Sequence, residues 1–231
     1  MRYKNNKNLE NNKSVKFYFD NKEYSGFEGD TLASALLAND VHLVGRSFKY
    51  HRPRGIYTAG SEEPNGIVQL ETKEYTEPNR RVTEVQIYEG LKAFSQNNWP
   101  SVKFDAGSIN DLLSPFFPAG FYYKTFMWPQ KLWEKIYEPV IRKAAGLGKL
   151  STEADPSQYD KGYLHSDFLI VGSGISGLMS ALLLAETGSE ILVIEEDFTL
   201  GGRLNSENLI INGEKSSVWD DRAVKKLKTF K

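Results

Sequence analysis

Phe168-Leu169-Ile170-Val171-Gly172-Ser173-Gly174-Ile175-Ser176-Gly177 is the stretch on which the reading of this chain turns. Its first four residues are the short apolar run expected of a buried parallel strand. The glycines then break that run, and a helical stretch over 178–186 follows, ending near Gly188. A second apolar run, Ile191-Leu192-Val193-Ile194, stops at Glu195-Glu196. Strand, glycine turn, helix and strand within about 30 residues is a β–α–β unit, the crossover that parallel strands require.

A GxGxxG string alone says little. Between a strand and a helix, with an acid where the second strand ends, it is the fingerprint of a dinucleotide-binding fold. Gly172 makes the tight turn, Gly174 lets the backbone approach a pyrophosphate, and Gly177 lets helix and strand pack closely. Ile175 and Ser176 open the helix, whose N–H groups and positive dipole end favour phosphate. Glu195, eighteen residues past Gly177, is placed to accept hydrogen bonds from an adenosine ribose, with Glu196 beside it. A carboxylate there disfavours a 2′-phosphate, so the expected ligand is NAD or FAD rather than NADP. Gly201-Gly202 and then Arg203 fit the further glycine turn of flavoprotein-like versions of the fold. The expected cofactor-binding residues are therefore Gly172, Gly174, Ile175, Ser176, Gly177, Glu195, Glu196, Gly202 and Arg203. The competing reading is a glycine-rich turn that binds nothing.

Toward the N-terminus the pattern changes. Residues 1–13 are rich in Asn and Lys and read as a flexible arm. Val15-Lys16-Phe17-Tyr18-Phe19, the turn residues Asp20-Asn21, and a run through Tyr24 and Phe27 predict a β-hairpin. Thr31 is placed to cap a short helix over 32–39. Ile67-Val68-Gln69-Leu70 and the segment 82–88 read as strands. That order suits a small α+β domain of β-grasp type over 14–90.

Residues 91–162 form an aromatic and proline-rich connector, in which a helix over about 131–145 is kinked or split by Pro139 and ended by Gly146-Leu147-Gly148. A polar linker at 151–162 leads to 163–231, the first part of the α/β dinucleotide-binding domain. There the stretch up to Trp219 reads as an insertion and Asp221 begins a basic helix.

Composition sets the outer limits. The 231 residues are 40% hydrophobic and 13% aromatic, enough for sizeable cores. Lys+Arg 29 against Asp+Glu 30 leaves a net charge of −1, which argues against nucleic acid as a partner. Cys 0 excludes disulfides, thiolate zinc sites, a cysteine nucleophile and an all-cysteine iron–sulfur cluster. With His 3, no metal site is expected. No secretory signal or membrane-length apolar run is present, so the expectation is a cytoplasmic protein without membrane contact. The basic run Arg46, Lys49, His51, Arg52 and Arg54 reads equally as a phosphate- or partner-docking patch and as a solvated loop. His42, His51 and His165 read as packed or hydrogen-bonding residues. The aromatic run 116–133 reads as inter-domain packing rather than a flavin border.

Two longer strings carry a family resemblance. Gly45-Arg46-Ser47-Phe48-Lys49-Tyr50-His51-Arg52-Pro53-Arg54-Gly55-Ile56 resembles the N-terminal region of the alpha subunits of heterotetrameric sarcosine oxidases. So does the segment containing Phe104-Asp105-Ala106-Gly107, Asn110-Asp111-Leu112-Leu113 and Pro118-Ala119-Gly120-Phe121-Tyr122-Tyr123-Lys124-Thr125-Phe126-Met127-Trp128-Pro129. The resemblance runs from Ser14 to about Trp219. It implies a 2Fe-2S ferredoxin-like β-grasp domain, then an incomplete Rossmann-like FAD/NAD(P)-binding domain.

It also implies a role in flavin-dependent oxidative demethylation of sarcosine to glycine, the one-carbon unit passing to tetrahydrofolate. By the resemblance this segment binds NAD and scaffolds contacts with beta, gamma and delta subunits, while FMN, FAD and tetrahydrofolate sit elsewhere in the complex. No catalytic residue is assigned. The family's subunit is several times longer, so the chain is expected to be a piece of one and inactive alone. Two alternatives stay open: an FAD-binding subunit of a related amino-acid dehydrogenase, and a non-catalytic dinucleotide-binding or assembly module.

Cluster-bearing ferredoxin-like domains carry C-x4-C-x2-C after such an Arg-Pro-Arg-Gly element. Those positions fall here on Thr58, Glu63 and Gly66, so no 2Fe-2S cluster is expected.

Overall fold

The computed structural model describes residues 13–71, 73–116, 120, 128–144, 146–197, 199–205, 207 and 209–230. The expected arm lies almost entirely outside them, as do 117–119 and 121–127 of the aromatic run. The chain divides into two compact units, Met1–Pro156 and Ser157–Lys231.

In the first unit β1 (Ser14–Phe19) and β2 (Lys22–Phe27) form an antiparallel hairpin in register from Ser14↔Phe27 to Phe19↔Lys22. Asp20 and Asn21 close it with φ of +48° and +64°, the left-handed pair that a two-residue hairpin loop needs. Side chains alternate: Val15, Phe17 and Phe19 are buried, whereas Ser14 and Lys16 are exposed. Helix α1 (Leu32–Ala38) starts at Thr31, whose hydroxyl oxygen accepts from the Ser34 amide at 3.2 Å. Its Leu32, Ala33, Ala35 and Leu36 enter the core.

A small pair, β3 (Gly45–Arg46) and β4 (Pro53–Arg54), stands apart from the main sheet. The sheet is completed by β5 (Ile67–Leu70), β6 (Glu77–Arg81) and β7 (Lys92–Ser95), in the order β2-β1-β7-β5-β6. β1 and β7 run parallel at its centre and the other pairs are antiparallel. This hairpin, helix and central parallel strand make a β-grasp, with Phe17, Leu32, Leu36, Val68 and Leu91 fully buried between helix and sheet.

Residues 82–88 are not the expected strand. Val82, Val85 and Ile87 are buried, but the carbonyls of Val85 and Val82 accept from the Leu32 and Ala33 amides at 2.7 and 2.9 Å. These amides open α1 and have no partner within it. The segment is spent on capping the helix from outside, and the neighbouring residues 77–81 take the place in the sheet.

In the connector, α2 (Ile109–Leu112) is a single turn. Helical winding from Gln130 to Ala144 is broken, as Pro139 predicts: a 3-10 turn (Gln130–Leu132), a π-helical turn (Trp133–Tyr137), then α3 (Glu138–Ala144). Pro139 has no N–H to give Lys135, and the winding changes beside it. Ala145 is outside the described residues. Phe116 and Trp128 are exposed rather than packed.

In the second unit β8 (Phe168–Val171) and β9 (Ile191–Ile194) pair in parallel, and α4 (Ile175–Ala185) crosses between them. A short hairpin, β10 (Ile210–Ile211) and β11 (Glu214–Lys215), leads into α5 (Ser216–Leu227). That helix begins five residues before the expected Asp221, because Trp219 and Ala223 form an i, i+4 stripe packed with Leu178 of α4 and Leu204. Of the stretch read as an insertion, Ile211 and Trp219 thus pack into this unit's core.

Candidate functional site

The glycine loop joins β8 to α4. Gly172 has φ +94°, a conformation that side chains with a Cβ avoid, and its amide donates to the Ile194 carbonyl of β9 at 2.7 Å. At Gly177 a Cβ would lie 2.0 Å from the Gly172 carbonyl oxygen, so helix and loop pack here as the fingerprint requires. At Gly174 a Cβ would meet nothing within 4 Å. The loop thus faces open space where the pyrophosphate is expected. Gly174 also begins α4 without any side-chain cap, and Ile175 and Ser176 are exposed at that end. The helix presents backbone donors and its positive dipole end to this space.

Glu195 ends β9 beside the loop. Its Oε2 accepts from the Ser173 amide at 2.6 Å and from the Ser173 hydroxyl. Its Oε1 accepts from the amides of Glu196 and Asp197 at 3.0 and 3.2 Å. Burial would push the carboxyl up, but the Ser173 hydroxyl and the backbone donors outweigh it and hold the group below its usual range. Glu195 is therefore an ionised acceptor poised at the loop, with both oxygens engaged by the chain itself. Its neighbour Glu196 is exposed and contributes its amide to this bonding.

The second glycine turn closes over the first. The Gly201 amide donates to the carbonyl and to the hydroxyl oxygen of Ser173 at 3.2 and 3.1 Å, and a Cβ at Gly202 would stand 3.4 Å from Gly174 Cα. Gly172, Gly174, Gly177, Glu195 and Gly202 thus converge. Arg203 is exposed, with its guanidinium paired to Glu207.

Two contributors escaped the sequence reading. Ser173 is fully buried and ties Glu195 to both glycine turns. Its small hydroxyl between two glycines was the available signal. Asp220 of α5 lies beneath Gly201: it is 6% exposed, its Oδ1 has no hydrogen-bond partner, and a Cβ on Gly201 would stand 2.5 Å from its Oδ2. Burial, then the neighbouring Asp221 charge, pushes its carboxyl up. Nothing local distinguishes it within a charged stretch.

The basic run of the first unit is largely consumed by its own fold. Arg46 donates to the carbonyls of Val102, His51 and Lys103, and Arg52 pairs with Asp111 at 2.7 Å. His51 bonds the fully buried Asp105 at 2.6 Å, the hydrogen-bonding role expected of it, while His42 and His165 are exposed instead of packed. Among the described residues no group of three or more His, Cys, Asp or Glu is arranged to hold a metal ion, and no helix is long and apolar enough to cross a membrane.

Comparison with known proteins bears on both units. Residues 12–98 match a 2Fe-2S iron-sulfur cluster binding domain, and residues 170–223 match an NAD(P)-binding Rossmann-like domain. The chain is 54% identical to the sarcosine oxidase subunit alpha of Rhizobium meliloti over 209 residues, 90% of this chain and 21% of that protein. It is 31% identical to the sarcosine oxidase subunit alpha of Corynebacterium sp. (strain P-1), again over 90% of this chain and 17% of that one. The chain thus spans about a fifth of the length of the curated relatives it matches. Among solved structures, L-proline dehydrogenase from P. horikoshii aligns with a TM-score of 0.52 at 19% identity, over 94% of this chain and 32% of that one, a likeness of fold. The architecture is a ferredoxin-like β-grasp followed by a Rossmann-like unit.

Proposed function

We propose that this chain, whose resemblance to sarcosine oxidase alpha subunits runs through nine-tenths of its residues, is the part of such a subunit that holds an adenine dinucleotide. The observation that carries the reading is the open face at Gly174, set against the closed contact at Gly177, on an uncapped helix end beside Glu195. A pyrophosphate fits there against the amides of Ile175 and Ser176. Glu195, by exchanging its bonds to Ser173, can accept from the ribose hydroxyls. Gly202 keeps the second turn low enough for the ligand to lie across both. Glu196 and Arg203 border the site rather than line it.

NAD is the ligand we favour, because the ionised carboxylate at Glu195 repels a 2′-phosphate. When bound, such a cofactor supplies hydride chemistry. This chain's residues bind and orient it. In the whole assembly we place the unit in oxidative demethylation of sarcosine to glycine, with flavins and tetrahydrofolate held elsewhere and other subunits as partners. Calorimetric titration of the purified chain with NAD, NADP and FAD tests the local claim. We expect saturable binding of NAD, weaker binding of NADP, and loss of binding in Gly174→Val. Equal affinity in Gly174→Val refutes the site, and a tightly held 450 nm chromophore would replace NAD by FAD (about 450 nm being the flavin's own absorption).

A further inference from the structure

The first unit matches a cluster-binding domain, yet its loop is already filled. Glu63 is 1% exposed and its carboxylate lies inside the loop of residues 57–66. Oε2 accepts from the amides of Tyr57 and Thr58 at 2.8 and 2.6 Å and from the Thr58 hydroxyl at 3.2 Å. Oε1 accepts from the amides of Asn65 and Gly66 at 2.8 and 3.0 Å. Among the described residues no Lys, Arg or His is ion-paired with it, so backbone dipoles offset the charge. Convergent backbone N–H groups of this kind form the anion-binding concavities that also seat iron–sulfur clusters.

The positions coincide with the cluster spacing. Of the three that would carry thiolates in C-x4-C-x2-C, Thr58 and Gly66 donate to the carboxylate and Glu63 provides it. A ligand side chain has no room at Gly66, where a Cβ would stand 2.6 Å from Val82 Cγ2. With Cys 0 in the chain, the residues present do not fit a cluster.

We propose that Glu63 is a built-in anion that fills the backbone nest in which cluster-bearing domains of this fold seat their iron–sulfur centre. The unit thereby keeps the ferredoxin-like loop closed with no metal. Burial alone would push this carboxyl up, and the four amides hold it below its usual range, which is how a nest shaped for a negative group acts.

The test uses the full chain and does not depend on the dinucleotide site. Iron and acid-labile sulfide are measured in wild type, and stoichiometric iron overturns the proposal. Glu63→Ala empties the nest and is expected to lower the melting temperature by about 10 °C, since several buried N–H groups lose a charged acceptor. Acetate, which replaces the removed carboxylate, is expected to restore at least half of that loss saturably, while the isosteric neutral acetamide restores none. Equal effects of the two solutes, or a wild-type melting temperature in both Glu63→Ala and Glu63→Gln, overturn it. Should Glu63→Ala not fold in plain buffer, the same comparison is read as refolding yield. Acetate alone is then expected to raise it, and equal yields count against the nest.

Discussion

Gly177→Ala and Gly174→Ala, made as a pair, separate the two jobs assigned to the glycine loop. In an open helix, replacing Gly by Ala stabilises by about 1 kcal/mol, because Ala loses less backbone freedom. At position 177 the added Cβ would stand 2.0 Å from the Gly172 carbonyl oxygen and 3.4 Å from Ile170 Cγ2. The first distance is far inside contact and the atom met is backbone, so α4 must move off the loop, at the upper end of the roughly 1–3 kcal/mol typical of overpacking, and the propensity gain offsets about 1 kcal/mol of that. We expect a net loss of about 1–2 kcal/mol, or roughly 4–16 °C in the melting of the second unit at its size. At position 174 the backbone is extended (φ −62°, ψ −178°) and the Cβ meets open space, so stability should change by less than about 0.5 kcal/mol. Dinucleotide affinity should nonetheless fall, since the methyl occupies the approach to the pyrophosphate. Thermal melting followed by circular dichroism, with amide hydrogen exchange of residues 175–185 to localise the change, reads the first effect, and calorimetric titration the second. A Gly177→Ala chain as stable as wild type, or a Gly174→Ala chain that binds as tightly, refutes the packing argument.

Three further outcomes follow from the bonding. Glu195→Gln should destabilise the second unit by about 1–2 kcal/mol at pH 7. Its folded pKa lies below the ordinary value of 4.5, so the wild-type advantage should be full above that value and vanish as pH falls through the folded pKa, which acid titration of both chains checks. Asp220→Asn should raise melting at neutral pH. Its folded carboxyl is pushed above 3.8, so the wild type loses stability as pH rises from there through the folded pKa, and a variant whose advantage over the wild type is no greater at pH 7 than at pH 3.8 contradicts this. Asp105→Ala should cost the first unit about 2–5 kcal/mol, because Asp105 accepts from the Trp99 and Gly107 amides and pairs with His51. Urea unfolding measures it, and a loss below about 0.5 kcal/mol would contradict the assignment.

Much of this molecule is legible in the chain because its signals are local. The hairpin follows from alternating Val15, Phe17 and Phe19 around Asp20-Asn21, α1 from Thr31 and its apolar spacing, and the β–α–β unit from two four-residue apolar runs about a glycine string. Gly172 and Glu195 could be named as candidates in advance because one answers to its own backbone conformation and the other to its place at a strand end, while Gly174 and Gly177 follow from the spacing of the glycine string. Even the absence of thiolates needed only a count.

Tertiary structure decided everything that depends on which distant group supplies a partner. Residues 82–88 have the composition of a strand, yet the unpaired amides at the start of α1, some fifty residues earlier, claimed their carbonyls. Asp220 is one acid among several until the stripe of α5 carries it under Gly201. In the sequence Glu63 is only a residue without a thiol at a cluster-spaced position, and closure of the loop is what turns four amides onto it. Patterns of period two or 3.6 record how a segment meets water and core, whereas a buried charge is settled by hydrogen bonds that form after the chain has closed around it.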